Sequence, residues 1–204
     1  MKRDLLTAVR LYVALSVLTG IFYPAGITVV SGLLFPDASA GSFIVDDGRT
    51  IGSALVGQEF SRQEYFWPRP SAIGYEPLPS GGSNACPTSR AFSDSVRVRQ
   101  RRLITLNRLP PSAAVPKELY AASASGIDPH IGPAAARIQV SRVAEARGLD
   151  ERARYQLAAL VERFVEPRQW GILGQERVNV LLLNVTVDRL FGQRAEVREP
   201  DSLR

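Results

Sequence analysis

The stretch from Leu11 to Phe35 runs for twenty-five residues without a charge, with Leu, Val, Ile, Phe and Tyr recurring throughout. A bilayer core about 30 Å thick is crossed by roughly 20 apolar residues rising about 1.5 Å each, whereas the apolar part of a cleavable export signal is usually about 7–15 residues long. The stretch therefore predicts one transmembrane helix over 11–35. Lys2, Arg3 and Arg10 precede it with only Asp4, while Asp37, Asp46 and Asp47 follow it with Arg49. Because the positive flank stays in the cytoplasm, residues 1–10 are expected inside and everything after Phe35 outside the cytoplasmic (inner) membrane. An A-x-A pattern at Ala38, Ser39 and Ala40 invites a signal peptidase, but the long apolar run and the intervening Pro36 and Asp37 predict an uncleaved, single-pass anchor.

Within the span, Ser16 and Gly20 form a small-xxx-small pair, and Pro24 lacks a backbone donor. Small residues let helices approach, and a freed carbonyl is tolerated where neighbouring helices or local adjustments satisfy it. Ser16 and Gly20 are thus candidates for a partner-helix interface, with a plain lipid anchor as the alternative.

About 170 residues remain beyond the span, enough for one compact domain with its own core. A lone cysteine, Cys86, cannot pair within the chain, so packing rather than disulfides must stabilise the domain. Without the N-terminal flank the balance is 22 basic against 19 acidic residues. The one basic concentration, Arg90 to Arg108, reads as a solvated or subunit-facing helix surface and not as a nucleic-acid site.

Along the chain, Ser42 to Phe60 predicts two strands about an Asp47-Gly48 turn. Gly52 and Gly57 have the spacing of a phosphate loop, but Gln58 and Glu59 stand where Lys and Ser or Thr are needed. Tyr65 to Ala72, YFWPRPSA, is an aromatic cluster stiffened by Pro68 and Pro70. Trp, Tyr and Arg dominate binding hot spots, so Tyr65, Phe66, Trp67 and Arg69 are interface candidates, the alternative being that the aromatics pack on the domain's own core. Ser80 to Thr88 predicts an ordered loop in which Ser83 and Asn84 cap the backbone.

Ser89 to Leu109 predicts a helix ended by Pro110 and Pro111, with a short segment from Lys117 to Ala122. Ser123 to Ala134 carries the chain's one histidine, His130, beside Asp128. Asp128 and His130 near a serine would suit a hydrolase, yet no G-x-S-x-G elbow supports it, and the residues also suit a helix-entry loop with Pro133 in the first turn. Pro133 to Arg147, ended by Gly148, and Asp150 to Glu166 predict a helical hairpin. Val178 to Val187 predicts a buried strand running into a short helix, with a loose tail over 194–204.

The single span followed by GSALVGQEF, YFWPRPSA, SGGSN, ASASGIDPHIGPAAARIQVSRVAEARG and VNVLLLNVTVD resembles one family over about Leu11 to Leu190. It is the KdpC family, the C subunits of the Kdp potassium-transporting ATPase. Cys86 and Ser89 depart from the residues usual there. The resemblance implies a complex with an ATPase subunit, a channel-like potassium subunit and a small single-span subunit, in which ATP and the ion path belong to other chains. It also implies a catalytic-chaperone role that raises the ATPase subunit's affinity for ATP. No cofactor is expected to bind this chain directly, and no phosphorylation motif or Walker lysine is present. The expectation is an α+β chain: a cytoplasmic N-terminus over 1–10, the span, and one mixed α/β extracytoplasmic domain over 36–193. It is a non-catalytic accessory subunit, with a membrane-tethered extracytoplasmic hydrolase as the alternative.

Overall fold

The computed structural model describes residues 2–46 and 48–192. The expected tail over 194–204, and Asp47 of the expected turn, lie outside the described residues. The chain divides into two compact units, with the division between Ile44 and Val45.

The first unit is one long helix, Lys2–Leu34, followed by a helical turn, α3 (Pro36–Ser39). The helix consists of α1 (Lys2–Val17), a π-helical turn (Leu18–Phe22) and α2 (Tyr23–Leu34). It begins well before Leu11, because the charged flank continues the helix of the apolar run. Proline explains the π turn: a ring at Pro24 cannot fit the regular i→i−4 ladder, and the Tyr23 N–H donates instead to the Leu18 carbonyl five residues back. Hydroxyls inside the span bond their own helix, Thr19 to the Leu15 carbonyl at 2.8 Å and Thr28 to the Pro24 carbonyl at 2.9 Å. No residue of the helix is buried.

In the second unit helices dominate and the strands are short. β1 (Phe43–Asp46), which straddles the division, and β2 (Arg49–Ser53) form one two-stranded sheet, as their alternating pattern and Gly48 at φ +76° require. α4 (Arg90–Leu106) starts at Ser89, whose hydroxyl accepts the Phe92 N–H at 3.1 Å and so caps the helix. A 3₁₀ turn, Lys117–Leu119, follows the proline pair.

β3 (His130–Ile131) pairs antiparallel with β4 (Val178–Asn179), Ile131 opposite Val178. Next to β3 come α5 (Pro133–Arg137) and α6 (Val140–Ala146). The turn at Gly148, φ +63°, leads to α7 (Glu151–Arg163), capped by Asp150 accepting the Ala153 N–H at 2.7 Å. α7 packs on both α5 and α6. Val143, Leu157, Val161, Leu183 and Val187 form the centre of the core, all below 1% exposed.

One expectation is refined and one is corrected. The run Val178 to Val187 is a strand only at Val178–Asn179; from Val180 it is helix α8 (Val180–Phe191), capped by Asn179, whose side chain accepts the Leu182 N–H. An element buried on nearly every face has no period to read, so strand and helix look alike in sequence. The helix expected over Pro133 to Arg147 is two helices, broken at Ile138 and Gln139 by an i→i−3 turn, Gln139 N–H to the Ala136 carbonyl. No Gly or Pro marks the break; the Gln139 side chain is engaged elsewhere, as described next.

Candidate functional site

The segment Gln63–Trp67 enters the domain interior at Tyr65 and Phe66, both buried, without joining a sheet. A buried loop carries backbone donors and acceptors that water cannot reach, so each needs a partner from the protein. Side-chain amides supply them. Asn184 on α8 accepts the Phe66 N–H at 2.8 Å and donates to the Phe66 carbonyl at 2.9 Å. Gln139 does the same for Trp67, accepting its N–H at 2.8 Å and donating to its carbonyl at 3.2 Å. Each amide thus imitates a neighbouring strand for one residue.

Arg142 on α6 completes the clamp. Its guanidinium donates to the carbonyls of Gln63 and Tyr65, to Asn107 Oδ1 at 3.0 Å and to Gln139 Oε1 at 2.6 Å, and lies 3.8 Å over the Trp67 ring. Burial pushes its pKa down to about 9, which leaves it charged at neutral pH. Beside it, Arg147 pairs with Asp188 at 2.6 Å and donates to the Glu64 carbonyl, while the Tyr65 hydroxyl meets Asp188 at 3.3 Å. Burial holds the Asp188 carboxyl above its ordinary value against the pull of Arg147, and burial, then the Asp188 charge, lifts the Tyr65 hydroxyl to about 12.

This clamp places the four aromatic-loop candidates differently. Tyr65 and Phe66 are 1% and 0% exposed, so as surface groups they are corrected to core residues: their backbone is sealed between α6 and α8 and their rings go with it. Trp67 is partly exposed, with its indole N–H on the Arg62 carbonyl. Arg69 reaches a cleft and pairs with Asp128 at 2.9 Å. Ser16 and Gly20 are exposed on the helix, and a Cβ at Gly20 would meet nothing within 4 Å.

The cleft has a volume of about 350 Å³ and is lined by Arg69, Glu118, Asp128 and His130 on one side and by the segment 167–177 on the other. Asp128 Oδ1 accepts the His130 N–H at 3.0 Å, and the His130 Nδ1 lies 3.7 Å from the same oxygen. Burial raises the Asp128 carboxyl, but the hydrogen bonds from His130 and Arg69 outweigh it and hold the group below its ordinary value. Asp128 therefore acts as a fixed carboxylate that shapes the turn into β3. Among the described residues, no Ser, Thr, Cys or Lys lines the cleft. Gly57 lies against the backbone of this turn: its N–H bonds the Ile127 carbonyl at 2.8 Å, and a Cβ there would stand 2.6 Å from the Asp128 carbonyl.

Among the described residues no group of His, Cys, Asp and Glu is arranged to hold a metal ion. Cys86 is exposed, its thiol pulled below the ordinary value by hydrogen bonding to Thr88. Sequence reasoning missed Gln139, Arg142, Arg147, Asn184 and Asp188. The available signal was polar residues on helix faces otherwise apolar, as in VLLLNVTVD, where Asn184 and Asp188 are four apart.

The family model described as KdpC, K+-transporting ATPase, c chain, matches residues 5–189. The chain belongs to the KdpC family. Its relatives include the "Potassium-transporting ATPase KdpC subunit" of Myxococcus xanthus, 48% identical over 92% of this chain and 88% of the relative. Those of Geobacter metallireducens and Dechloromonas aromatica are each 46% identical over 92% of this chain and 98% of the relative. The match spans both units, so the apolar helix and the clamped domain together are what KdpC-family membership covers. A KdpC-family chain is by that description one chain of a potassium-transporting ATPase.

Proposed function

We propose that this chain is a non-catalytic accessory subunit of an ATP-driven potassium-uptake complex, anchored by one span with its domain outside the cytoplasmic membrane. The observation that carries the reading is the helix Lys2–Leu34, uncharged from Leu11 onward and with no residue buried, which needs lipid or partner helices to cover it. The charged flanks supply the orientation. The partners are the ATPase subunit, the channel-like potassium subunit and the small single-span subunit that the family resemblance implies. A domain on the outer side does not touch cytoplasmic ATP, so a catalytic-chaperone effect on ATP affinity would pass through shifted subunit conformations.

Protease added to intact spheroplasts is expected to digest the domain, and the ATPase and channel-like subunits are expected to co-purify with the full chain. A protected domain, or a mature N-terminus at Gly41, would refute the topology. The hydrolase alternative is tested by His130→Ala. With His130 in a helix-entry loop the complex should keep nearly all of its potassium-dependent ATPase activity, whereas loss of a general acid or base typically costs about 10²–10⁴-fold.

A further inference from the structure

The chain turns back on itself where the long helix ends. α3 follows Leu34 after one residue, Phe35, and the Ala40 N–H donates to the Pro36 carbonyl at 3.0 Å. The Ser42 N–H then donates to the Asp37 carbonyl at 2.9 Å, with Gly41 at φ +106° and Ser42 at φ +51° making the turn. Ser42 is thereby tied to Asp37, and Phe43 opens β1 directly beside it. An extended chain of this length could carry Phe43 about 27 Å from Phe35, whereas the folded turn keeps it within roughly 15 Å. Both phenylalanines belong to the first compact unit.

The residues held there are apolar and uncovered: Phe35 is 63% exposed, Phe43 62% and Val45 54%. Phe43 and Val45 stand two apart in β1 and so share one face of the strand, with half-buried Ile44 between them on the other. A Cβ at Gly41 would stand 3.4 Å from the Phe43 ring, so the ring lies beside the turn.

The charges nearby decide what can cover this patch. Asp37 and Arg49 are exposed, and Asp46 is paired with Arg189 at 2.8 Å. Asp47, outside the described residues, adds a further negative charge. A stretch with this balance gains nothing from anionic headgroups, so attraction to a bilayer must be apolar. The boundary between acyl chains and headgroups supplies that, since apolar side chains bury there while the backbone stays in polar surroundings. β1 also pairs with β2, which bonds part of its backbone in advance. The patch is continuous with the apolar run ending at Phe35, so the lipid around that end of the helix reaches the turn as well.

We propose that β1 rests in the interfacial layer of the bilayer on the side where the domain lies, with Phe43 and Val45 inserted among the lipids as a second foothold beside the span. The inference rests on the membrane-anchor reading above. It is tested in the full chain carrying Cys86→Ser together with Phe43→Cys or Val45→Cys, labelled with a nitroxide and reconstituted at one chain per nanodisc in phosphatidylcholine. Val29→Cys in the span and Tyr155→Cys on α7, both exposed positions, serve as lipid and water references. Collision of the nitroxide with oxygen, which concentrates in lipid, is compared with collision with a nickel chelate, which stays in water.

The oxygen-to-nickel ratio at positions 43 and 45 is expected to exceed that at 155 by at least about threefold and to lie below that at 29, as an interfacial depth requires. It should not rise when part of the lipid is replaced by anionic phosphatidylglycerol, and it should persist in the purified complex. With the label at position 45, Phe43→Asp should lower the ratio towards the water reference and Phe43→Leu should preserve it. Ratios at 43 and 45 equal to that at 155, with position 29 reading as lipid, would sink this inference and leave the anchor intact. Contact that needs anionic lipid would replace it with electrostatic docking. Loss of collision with both reagents in the complex would show that protein, not lipid, covers the strand. A label at 29 that reads as water would overturn the anchor reading and this inference together.

Discussion

The helix Lys2–Leu34 and the segment Gln63–Trp67 depart from the ordinary inside-outside rule in opposite directions. The helix leaves Leu, Val, Ile and Phe exposed along its whole length, while the segment carries polar backbone into the interior, where it meets the buried guanidinium of Arg142 on α6. Each departure is tolerable for one physical reason. Hydrocarbon around the helix, as proposed above, would accept its apolar side chains because a helix bonds its interior backbone groups within itself, with the π turn accommodating Pro24. Inside the domain both backbone groups of Phe66 and of Trp67 are matched by Asn184 and Gln139, and the Tyr65 carbonyl by Arg142. The first region depends on what surrounds the chain, the second on the chain alone. Substitutions should separate these two kinds of dependence.

The largest effect is expected from Arg142→Met, which keeps much of the side-chain volume but removes the donors to two backbone carbonyls, Asn107 and Gln139. Leaving buried acceptors unmatched costs about 1–3 kcal/mol each, so a loss of about 3–5 kcal/mol is expected for the domain. Denaturant unfolding of the full chain in mild detergent, followed through Trp67, measures it. A change below about 1 kcal/mol would mean that the clamp is not what holds the segment.

These two regions were also unequally legible. The apolar helix could be read directly, because length and absence of charge are properties of the residues themselves. Helix ends were legible where a cap marks them, as at Ser89, Asp150 and Gly148. The clamp was not, since Asn184 and Gln139 bond residues 118 and 72 positions away, and nothing in their local sequence says so. For the same reason Tyr65 and Phe66 looked like surface anchors: their neighbours Pro68, Arg69 and Pro70 suggest a loop, and a loop is buried only when distant side chains satisfy its backbone. The Asp128 turn lies between these cases, with the local bond to the His130 N–H readable and the pair with Arg69 not.

The middle effect concerns the helix. Replacing Ser16 and Gly20 together with Leu adds bulk to an exposed face that touches nothing within the chain, so unfolding of the domain should be unchanged. If a partner helix packs closely there, overpacking costs about 1–3 kcal/mol per site in the assembled complex. Recovery of the ATPase and channel-like subunits with the double variant in mild detergent is the measurement. Full recovery would make this face a plain lipid anchor, and reduced recovery with an unaltered domain would show that the two regions fail independently.

The smallest effect is expected at Asp128, where a carboxylate half-way between the two regimes is both partly exposed and fully partnered. Asp128→Asn keeps an acceptor for the His130 N–H but sets an NH2 where Oδ2 accepts from Arg69, so the charge and that one bond are lost together, and for an ion pair of this exposure that amounts to about 1 kcal/mol or less. The pH dependence identifies it. The folded-state carboxyl titrates below its unfolded value of about 3.9, so the folded state binds the proton less readily, and the charged form stabilises the fold at every pH above that value. As pH falls through about 4 and then through the lower folded value, the unfolded chain takes up the proton first and the contribution disappears. Wild type should therefore exceed Asp128→Asn by a constant margin between about pH 5 and 8, and the margin should shrink towards zero below about pH 4. The difference between the two proteins isolates this group from the other carboxylates titrating in the same range. A margin that stays constant into acid would show that hydrogen-bond geometry alone, and not the charge held by Arg69 and His130, fixes the turn into β3.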